Sequence, residues 1–431
     1  MRETKIKSYT PPPDKSITIR ALLLSAIAAG GARIENPLRC EDTEAAVRCL
    51  EALGVKVSCD GSAYIVEGRG LKGLVKPASK LDAGESGALA RLLAGILAGQ
   101  AFSSVITGRG SLLKRPMEGL AVALKKLGAD IRTNKGRLPL TIRPALLKGK
   151  NISGVESAQV KSALLLAGLY AGGATEIEEK ARTRDHTERL LALLGARLTQ
   201  NGPGIKLEPG PLTARPLSVP GDISSAAPFI AAALLSGAAL KIGSCGLNPS
   251  RLGFINVLLK MGAVISIKAA AAFPEPYGEI EVLPSALSAG GGPAGLFGGK
   301  ARAVKAAEIP AMIDEVPLLA LLAARARGIT VISGIEGLRG KESDRIESTL
   351  ALLASLGVKA AYKGGSMKIT GRPAFSAVSP VETFGDHRIA MAAAAAALVT
   401  PGLEIRNPGC VDKSYPGFWN DFKQVFNFSF S

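Results

Sequence analysis

EAAVRCLEALGVKVSCDGSAYIVEG, residues 44–68, joins an amphipathic helical pattern to a short alternating stretch. Its apolar residues recur at helical spacing as far as Leu53, and Gly54 follows where a helix commonly ends in a left-handed residue. Beyond the glycine, the alternation predicts a strand, a turn and a second strand. The segment therefore predicts one α/β unit in which a helix leads into a hairpin.

The same plan recurs four more times along the chain. The copies are MEGLAVALKKLGADIRTNKGRLPLTIRP (residues 117–144), TERLLALLGARLTQNGPGIKLEP (187–209), RLGFINVLLKMGAVISIK (251–268) and RIESTLALLASLGVKAAYKGGSMKITG (345–371). The helix-ending glycines are Gly54, Gly128, Gly195, Gly262 and Gly357, and the first four lie about 70 residues apart. A hairpin pattern follows the glycine in four of the five copies, so chance Leu-Gly pairs are a poor explanation. We predict repeated α/β units.

The length of 431 residues exceeds what one core usually organises, so two domains are expected. A sixth unit is predicted from a helix at residues 388–399 and a strand at 402–406, completed by a strand near the N-terminus. That pairing would place both chain ends in one domain, residues 1–13 and 222–431, with residues 14–221 as an inserted domain. Proline and glycine clusters at residues 11–13 and 216–221 are the predicted linkers, and residues 269–278 and 288–299 are weaker candidates.

Composition excludes several functional classes. Apolar residues make up 47% of the chain and aromatics 4%, which predicts a core of small aliphatic side chains. With two histidines a multi-histidine metal centre is excluded, so any metal would have to rest on carboxylates. The five cysteines are scattered without zinc or CxxC spacing, and we expect reduced thiols.

No segment has the pattern of a membrane span or a targeting signal. The longest uncharged apolar run, Ile389 to Val399, is short of the roughly 18 to 20 residues that cross a bilayer. The first residues contain no apolar signal region. The expectation is a cytoplasmic protein without membrane contact.

A formal net charge of +17 predicts an anionic partner. Long polybasic runs and basic-aromatic interleaving, which are typical of nucleic-acid binding, are missing. Single Lys and Arg residues recur instead within Gly- and Ser-rich turns, which favours a small polyanion over nucleic acid. A polyanion-binding or nucleic-acid-binding module remains the alternative from a different functional class.

Several of these turns stand at predicted helix starts, where backbone amides and a nearby cation form an anion site. They are Asp14-Lys15-Ser16 with Arg20 one turn on, Gly84-Glu85-Ser86-Gly87 before Arg91, Lys114-Arg115-Pro116, and Ser157-Ala158-Gln159 before Lys161. Taken singly, each is equally well explained as a solvated helix cap. Lys161 opposes the helix dipole, and an anionic ligand would explain it.

Acidic residues occur at three further places of interest. Asp314-Glu315 interrupts a strongly apolar segment that is predicted to be helical, which implies a cationic partner or a chemical role. Lys341, Glu342 and Arg345 form either an exposed capping box or the edge of an active site. Asp386, His387 and Arg388 begin an almost wholly apolar helix, and Lys413 adds a cation near the chain end. Asp222 is interpreted as a structural helix cap.

Taken in order, these segments resemble the EPSP synthase family of enolpyruvyl transferases over nearly the whole chain. The most diagnostic are DKSITIRALLLSAIAAG (14–30), GESGALARLLAG (84–95), KRPMEGL (114–120), SAQVKSALLLAG (157–168), TRDHTERL (183–190), IDEVPLLALLA (313–323), LRGKESDRI (338–346), GDHRIAMA (385–392) and PGCVDKSYPGF (408–418). The resemblance implies an α/β fold of two domains, an inside-out α/β barrel with three units each, and an active site in the cleft between them. It implies the transfer of the enolpyruvyl group of phosphoenolpyruvate to the 5-hydroxyl of shikimate 3-phosphate, with release of phosphate, in aromatic amino-acid biosynthesis.

The resemblance also implies roles for individual residues. Lys15, Asp314 and Glu342 would be catalytic. Shikimate 3-phosphate would contact Lys15, Ser16, Arg20, Ser157, Ala158, Gln159, Arg184, Asp314 and Lys341. Phosphoenolpyruvate would contact Lys15, Gly87, Arg115, Gln159, Arg345, Arg388 and Lys413. One carboxylate would remove the hydroxyl proton of the acceptor while the other manages the methylene proton of the donor.

The resemblance implies neither a metal nor an organic cofactor, and we expect a monomer. Glu85 and Ala88 replace the Asn and Thr frequent in the family, and Gly337 precedes the LRGKESDR segment. Glu85 would repel phosphoenolpyruvate unless Arg91 or another cation pairs with it.

The nearest alternative activity is that of the UDP-N-acetylglucosamine enolpyruvyl transferases, which share the fold and the donor. Those enzymes carry a cysteine in a mobile loop, whereas the corresponding stretch here, including LLKRPMEGL (112–120), has none.

Overall fold

A computed structural model describes residues 6–287 and 302–428 of the chain. The weaker linker candidate at residues 288–299 lies outside the described residues.

Helices and strands are interspersed along the whole described chain. The α-helices are α1 (Lys15–Ile27), α2 (Glu41–Ala52), α3 (Gly87–Leu97), α4 (Glu118–Lys126), α5 (Ala158–Gly168), α6 (His186–Leu193), α7 (Ile223–Ser236), α8 (Gly253–Lys260), α9 (Val316–Ala323), α10 (Arg345–Ser355), α11 (His387–Ala397) and α12 (Phe418–Phe426). The strands are β1 (Lys7–Tyr9), β2 (Ala29–Glu35), β3 (Lys56–Asp60), β4 (Ala63–Arg69), β5 (Leu81–Asp82), β6 (Ser104–Thr107), β7 (Asp130–Asn134), β8 (Arg137–Arg143), β9 (Asn151–Val155), β10 (Thr175–Glu179), β11 (Leu198–Asn201), β12 (Gly204–Leu207), β13 (Leu217–Ser218), β14 (Leu240–Gly246), β15 (Val264–Ala271), β16 (Tyr277–Leu283), β17 (Arg302–Val304), β18 (Ile329–Ser333), β19 (Ala360–Lys363), β20 (Ser366–Thr370), β21 (Val381–Glu382) and β22 (Ile405–Arg406).

The chain divides into two compact units. The first, here called the terminal unit, comprises Met1–Pro12, Pro220–Ala272 and Pro276–Ser431. The second, the inserted unit, comprises Pro13–Val219 and Phe273–Glu275.

Within residues 6–287 and 302–428, each unit has three sheets, and the four-stranded sheets share one topology. Two neighbouring strands run parallel, and a hairpin extends the second of them in antiparallel fashion. The orders are β13-β2-β4-β3, β5-β6-β8-β7 and β9-β10-β12-β11 in the inserted unit, and β1-β14-β16-β15, β17-β18-β20-β19 and the two-stranded β21-β22 in the terminal unit. The sequence prediction of a mixed α/β fold is confirmed.

The helix, glycine and hairpin plan is also confirmed in detail. Helices α2, α4, α6, α8 and α10 each end before a glycine with positive φ, between +69° and +94°. That backbone conformation costs glycine least because it has no Cβ. The fourth copy, in which the sequence pattern indicates only one strand, also has its hairpin, β15–β16.

The predicted pairing of the N-terminal strand with the C-terminal strand is wrong. β1 pairs in parallel with β14, for example Lys7 with Leu240, while β22 pairs with β21. The chain ends meet through α12, a helix that the sequence analysis did not predict: Lys7 Nζ donates to the Val425 carbonyl at 2.7 Å. Periodicity gives the type of a strand but not its distant partner, which explains the error.

Each unit has its own hydrophobic core, built around three helices that are buried almost all round. These are α1, α3 and α5 in the inserted unit, and α7, α9 and α11 in the terminal unit. Because their sides are covered by protein, the N-terminal ends are where these helices can offer amides to a ligand. Among the described residues no helix is both long and apolar enough to cross a membrane.

The position of Asp314 corrects the sequence interpretation. The acidic pair does not interrupt a helix, since α9 begins at Val316 and Glu315 occupies its N-cap position. Pro317 near the first turn favours a helix start there. Asp314 therefore lies just before the start of a buried helix, as Asp386 does at the start of α11.

Candidate functional site

A carboxylate cluster in the terminal unit is organised by one buried guanidinium, that of Arg345. Its Nη1 donates to Asp314 Oδ1 at 2.9 Å, and its Nη2 donates to Glu342. Its Nε donates to Asp386 Oδ2 at 2.8 Å. The Arg345 side chain is only 1% exposed, so the two predicted catalytic carboxylates are held on a fixed frame.

Lys341 adds a second cation to this cluster. Its Nζ lies 3.2 Å from Asp314 Oδ1, the same oxygen that Arg345 contacts. Asp344, in the same segment, caps α10 by accepting a hydrogen bond from Ile346 N at 3.1 Å. The segment is thus both a helix cap and part of a charged cluster.

The charge balance of the cluster is visible in Arg345. Burial by itself lowers the pKa of this guanidinium, but the carboxylates of Asp386, Glu342 and Asp314 raise it well above its ordinary value. Ligand atoms of Glu342, Asp386 and His387 lie within 4.8 Å of one another, a spacing that could suit a cation. Arg345 already donates to both of these carboxylates and supplies the positive charge, so the group does not indicate a metal site.

Arg388 and Lys413 lie at the start of α11. Arg388 Nη1 donates to the Ser224 carbonyl at 2.8 Å, and Lys413 Nζ donates to the Gly385 carbonyl at 2.6 Å. Both cations are held by neutral backbone oxygens in these contacts. Cations at a helix N-terminus are unfavourable alone, because they oppose the helix dipole, and an anion between them removes the conflict.

Asp222 has the capping role that the sequence predicts. Its Oδ1 accepts from Ser224 N at 2.8 Å, and Arg251 lies 3.4 Å from the same oxygen. Ser224 also donates its hydroxyl to buried Glu315. This network supports the carbonyl that receives Arg388.

In the inserted unit, the start of α1 carries Lys15, Ser16 and Arg20. Lys15 Nζ forms an ion pair with Asp42 Oδ2 at 3.0 Å and keeps 21% of its side chain exposed. Arg20 is buried, and its hydrogen bonds go to neutral oxygens. Its Nη1 donates to the Ser16 carbonyl at 3.0 Å and its Nε to Thr187 Oγ1 at 2.9 Å.

Arg20 is less well compensated than Arg345. Burial lowers the pKa of Arg20 to about 10, while Asp14 and Glu188 raise it and Arg184 lowers it further. Arg184 is therefore close enough for repulsion between the two cations. Arg20 thus lies near carboxylates as well as a second cation, while its direct hydrogen bonds go to neutral oxygens, and a bound anion would add to its compensation.

Two more guanidinium groups meet at the start of α3. A Cβ atom at Gly87 would lie 2.7 Å from Nη1 of Arg91 and 2.9 Å from Nη1 of Arg115. Arg91 also donates to Gln159 Oε1 at 2.8 Å, which connects this helix start to α5. A side chain at this position would push the two guanidinium groups away from the helix start.

The start of α5 supplies the remaining predicted residues of this unit. Ser157 caps the helix by accepting from Val160 N at 3.4 Å, and it is exposed. Ala158 and Gln159 form the first turn and are partly buried.

The expectation that Lys161 faces an anionic ligand is wrong. Its side chain is fully buried, and its Nζ lies 2.6 Å from Glu188 Oε1 and 3.1 Å from Glu179 Oε1. The partners of this cation come from other elements, so its own helix sequence could not reveal them.

The predicted residues thus form two groups, one in each unit. The terminal unit brings together Asp314, Lys341, Glu342 and Arg345, and places Arg388 and Lys413 at the start of α11. The inserted unit brings Lys15, Ser16, Arg20 and Arg184 around α1, and Gly87, Arg115 and Gln159 around α3.

Two neighbours of the predicted site residues are absent from the sequence prediction. Arg91 lies beside Gly87, and Asp386 holds Arg345. Both residues belong to the quoted motifs. Arg91 lies one helical turn after Gly87, and Asp386 is the N-cap of α11, so these positions could have indicated them.

The chain matches the family model described as "EPSP synthase (3-phosphoshikimate 1-carboxyvinyltransferase)" over residues 5–422. The 3-phosphoshikimate 1-carboxyvinyltransferase of Alkaliphilus metalliredigens is 42% identical over 422 residues, which is 96% of either chain. That of Thermus thermophilus is 43% identical over 423 residues, with 96% of this chain and 95% of the relative covered.

Solved structures agree with these sequence matches. An EPSP synthase structure from Acinetobacter baumannii superposes with a TM-score of 0.81 at 36% identity. The match covers 98% of this chain and 96% of the other. Similarity in sequence and in three-dimensional fold therefore extends over the same full length.

Proposed function

The chain belongs to the EPSP synthase family, and we propose how its residues carry out the family's reaction, 3-phosphoshikimate 1-carboxyvinyl transfer. In this reaction the 5-hydroxyl of shikimate 3-phosphate attacks C2 of phosphoenolpyruvate, and phosphate leaves. The observation that carries the assignment of residues is the pair of carboxylates, Asp314 and Glu342, joined by the Arg345 guanidinium.

Shikimate 3-phosphate is assigned to the residues at the starts of α1 and α5, with Asp314 and Lys341 as further contacts. Arg20 and Arg184 repel one another, and a phosphate bound beside them would relieve that repulsion. Lys15, Ser16 and Ser157 to Gln159 are assigned to the same ligand by their place in the family motifs.

Phosphoenolpyruvate is assigned to the cations around Gly87, Arg388 and Lys413. Arg91 and Arg115 converge on Gly87, where the α3 amides also point. Lys15, Gln159 and Arg345 complete the proposed set, and Lys15 is proposed to serve both substrates. The support is electrostatic: a phosphate and a carboxylate on one small donor require several cations.

The proposed mechanism has two steps, addition and elimination. One carboxylate removes the acceptor hydroxyl proton as oxygen attacks C2, and the other, in its protonated form, gives its proton to the methylene carbon, which yields a tetrahedral intermediate. The intermediate then loses the proton from its methyl group and the C2–O bond to phosphate breaks. Arg345 orients both carboxylates, Lys341 contacts Asp314, and the cations around the donor stabilise the departing phosphate.

A phosphate-release assay tests this function. Purified protein should release phosphate from phosphoenolpyruvate only when shikimate 3-phosphate is also present. UDP-N-acetylglucosamine in place of the acceptor tests the related transferase activity, and we expect no release with it. Release with the nucleotide sugar alone would overturn the proposed acceptor.

The polyanion-binding alternative rests on the net charge of +17. Filter binding of RNA and DNA across a salt series tests it, because non-specific binding driven by phosphate contacts weakens steeply with salt. Tight binding at physiological salt, combined with absence of phosphate release, would favour that alternative.

We place the reaction in the cytoplasm. The proposal is supported by the state of the cysteines: Cys40, Cys49, Cys59, Cys245 and Cys410 are all free thiols. Free thiols are typical of reducing compartments.

A further inference from the structure

Two turns in the inserted unit are joined by a carboxylate that the proposed chemistry does not use. The first turn, residues 83–87, follows β5 and leads into α3, and the second, residues 108–115, follows β6. Their backbones meet where Arg109 N donates to the Gly84 carbonyl at 2.8 Å. The first turn carries Gly87 and the second carries Arg115, both assigned to the donor.

Glu85 connects the two turns through Ser111. Its Oε2 accepts from Ser111 N at 3.0 Å and from Ser111 Oγ at 2.7 Å. Arg115 Nη2 in turn donates to Ser111 Oγ at 3.1 Å. Because the serine hydroxyl has one proton, donating it to Glu85 leaves its lone pairs to accept from Arg115.

Gly110 makes room for this arrangement. It has a φ of +54°, and a Cβ atom at this position would lie 2.6 Å from the carboxyl carbon of Glu85. Any other residue would displace the Glu85 carboxylate from Ser111. The side chain at 85 and the glycine at 110 are therefore fitted to one another.

We infer that Glu85 and Ser111 are positioning residues that hold Arg115 in place for the donor. The carboxylate fixes the direction of the Ser111 hydroxyl, and the hydroxyl fixes one edge of the Arg115 guanidinium. The other terminal nitrogen, Nη1, is then directed at the start of α3 beside Gly87. The inference rests on the proposed function, since it assumes that the donor binds there.

The same geometry answers the concern about repulsion raised by the sequence. The Glu85 carboxylate is bound by an amide, a hydroxyl and, one step further, a guanidinium. The carboxylate group therefore faces the second turn, residues 108–115. Glu85 is thus expected to strengthen binding of phosphoenolpyruvate through Arg115.

Steady-state kinetics of Glu85→Ala, Glu85→Gln and Ser111→Ala test the inference. The two alanine variants should raise the apparent KM for phosphoenolpyruvate about tenfold, while kcat and the KM for shikimate 3-phosphate change less than about twofold. Glu85→Gln should lie in between, because an amide oxygen accepts the same bonds without charge. Glu67→Gln is the control, since Glu67 pairs with Lys56 on the exposed surface of the same unit.

A double variant separates positioning from general disturbance. If Ser111 acts through Arg115, the effects of Ser111→Ala and Arg115→Ala on the donor KM should be far from additive. Should Glu85→Ala fail to fold by circular dichroism, Glu85→Gln and Ser111→Ala carry the test.

The outcomes distinguish this inference from the function on which it rests. The inference alone would be overturned if the wild type is active but the Glu85 and Ser111 variants keep an unchanged KM for phosphoenolpyruvate. The same holds if these variants lose affinity for both substrates equally. A wild type that releases no phosphate with the substrate pair would overturn the proposed function and the inference together.

Discussion

Arg20 and Arg345 are both buried guanidinium groups, and their partners give them different tasks. Arg345 contacts three carboxylates, which raise its pKa, so it is compensated before any ligand arrives. Arg20 donates to a carbonyl and to hydroxyls, and burial lowers its pKa to about 10. Arg345 can therefore hold the proposed catalytic carboxylates in position, whereas Arg20 is suited to bind an anion.

Isosteric substitution of Asp314 or Glu342 should lower the turnover number more than it lowers the affinity for substrate. Glu342→Gln and Asp314→Asn keep the shape of the side chain but remove proton transfer, so each should lower kcat by roughly two orders of magnitude. Affinity for shikimate 3-phosphate should stay within a few fold, measured by titration calorimetry. Asp344→Asn is the matched control, because asparagine caps a helix as well as aspartate. Full turnover in both variants would remove the two carboxylates from the mechanism.

The buried Lys161 should matter for stability. Lys161→Met leaves Glu179 and Glu188 buried without their cation, which should cost about 3–5 kcal/mol of the free energy of unfolding at neutral pH. Lys56→Met, which breaks an exposed pair with Glu67, should change it by no more than about 1 kcal/mol. Urea denaturation measures both.

The pH dependence of the Lys161 effect has a definite sign. Burial raises the pKa of Glu188, while Lys161 lowers it, so the variant should have a still higher pKa there. A carboxyl whose pKa is raised on folding favours the folded state below its unfolded value, about 4.3, and loses that contribution as the pH rises through the folded pKa. The difference between variant and wild type should therefore shrink as the pH is lowered from 7 toward 5. A difference that grows would contradict this account.

At the scale of elements, the sequence pattern predicted those features that depend on residues close together in the chain. The five helix ends with their glycines, and four of the five hairpins, follow from spacing and turn chemistry within about 25 residues. The partner of β1 did not follow, because β1 pairs with a strand more than 200 residues away. The helix α12 was missed although its buried residues, Phe418, Phe422 and Phe426, recur at helical spacing. Asp314 and Asp386, which contact Arg345, lie 31 and 41 residues from it, so the motif around Arg345 could not reveal them. The partners of Lys161 likewise belong to other elements.

The helix α12 is held by an aromatic cluster that joins the chain ends in the terminal unit. Phe229 stacks on Tyr9 with ring centroids 3.8 Å apart, and Phe422 lies 5.5 Å from Phe229 and 5.0 Å from Phe426. Tyr9 and Tyr415 share a hydrogen bond of 2.7 Å between their hydroxyls. In a protein with 4% aromatic residues, this concentration indicates that the cluster closes the terminal unit.

Phe422→Ala should therefore destabilise the protein strongly. Phe422 is fully buried, and removing its ring should cost about 3–5 kcal/mol of the free energy of unfolding through lost packing and the cavity left behind. Leu146→Ala, at a side chain that is 90% exposed, should change it by less than about 0.5 kcal/mol. Calorimetric melting of both variants measures this. Equal melting temperatures would mean that α12 contributes little to the unit.

At the scale of the whole molecule, the proposed acceptor set draws on both units. Lys15, Arg20 and Arg184 belong to the inserted unit, whereas Asp314 and Lys341 belong to the terminal unit. A positive net charge of 17 also favours fast encounter with anionic substrates, and we expect this effect to weaken with salt. We expect the protein to be a single chain in solution, and light scattering should give a monomer of 44.3 kDa.

Shikimate 3-phosphate should accordingly stabilise both units in differential scanning calorimetry. At 100 times its Kd, a ligand that binds only the folded protein adds about 2.7 kcal/mol, so melting should shift upward by several degrees. If the ligand uses residues of both units, Lys341→Ala and Arg20→Ala should each reduce the shift, although they lie in different units. If the terminal unit has no part in binding, Lys341→Ala should leave the shift intact while Arg20→Ala abolishes it. That second pattern would restrict the acceptor site to the inserted unit and would require a new role for Asp314, because a carboxylate that removes the acceptor proton must touch the acceptor.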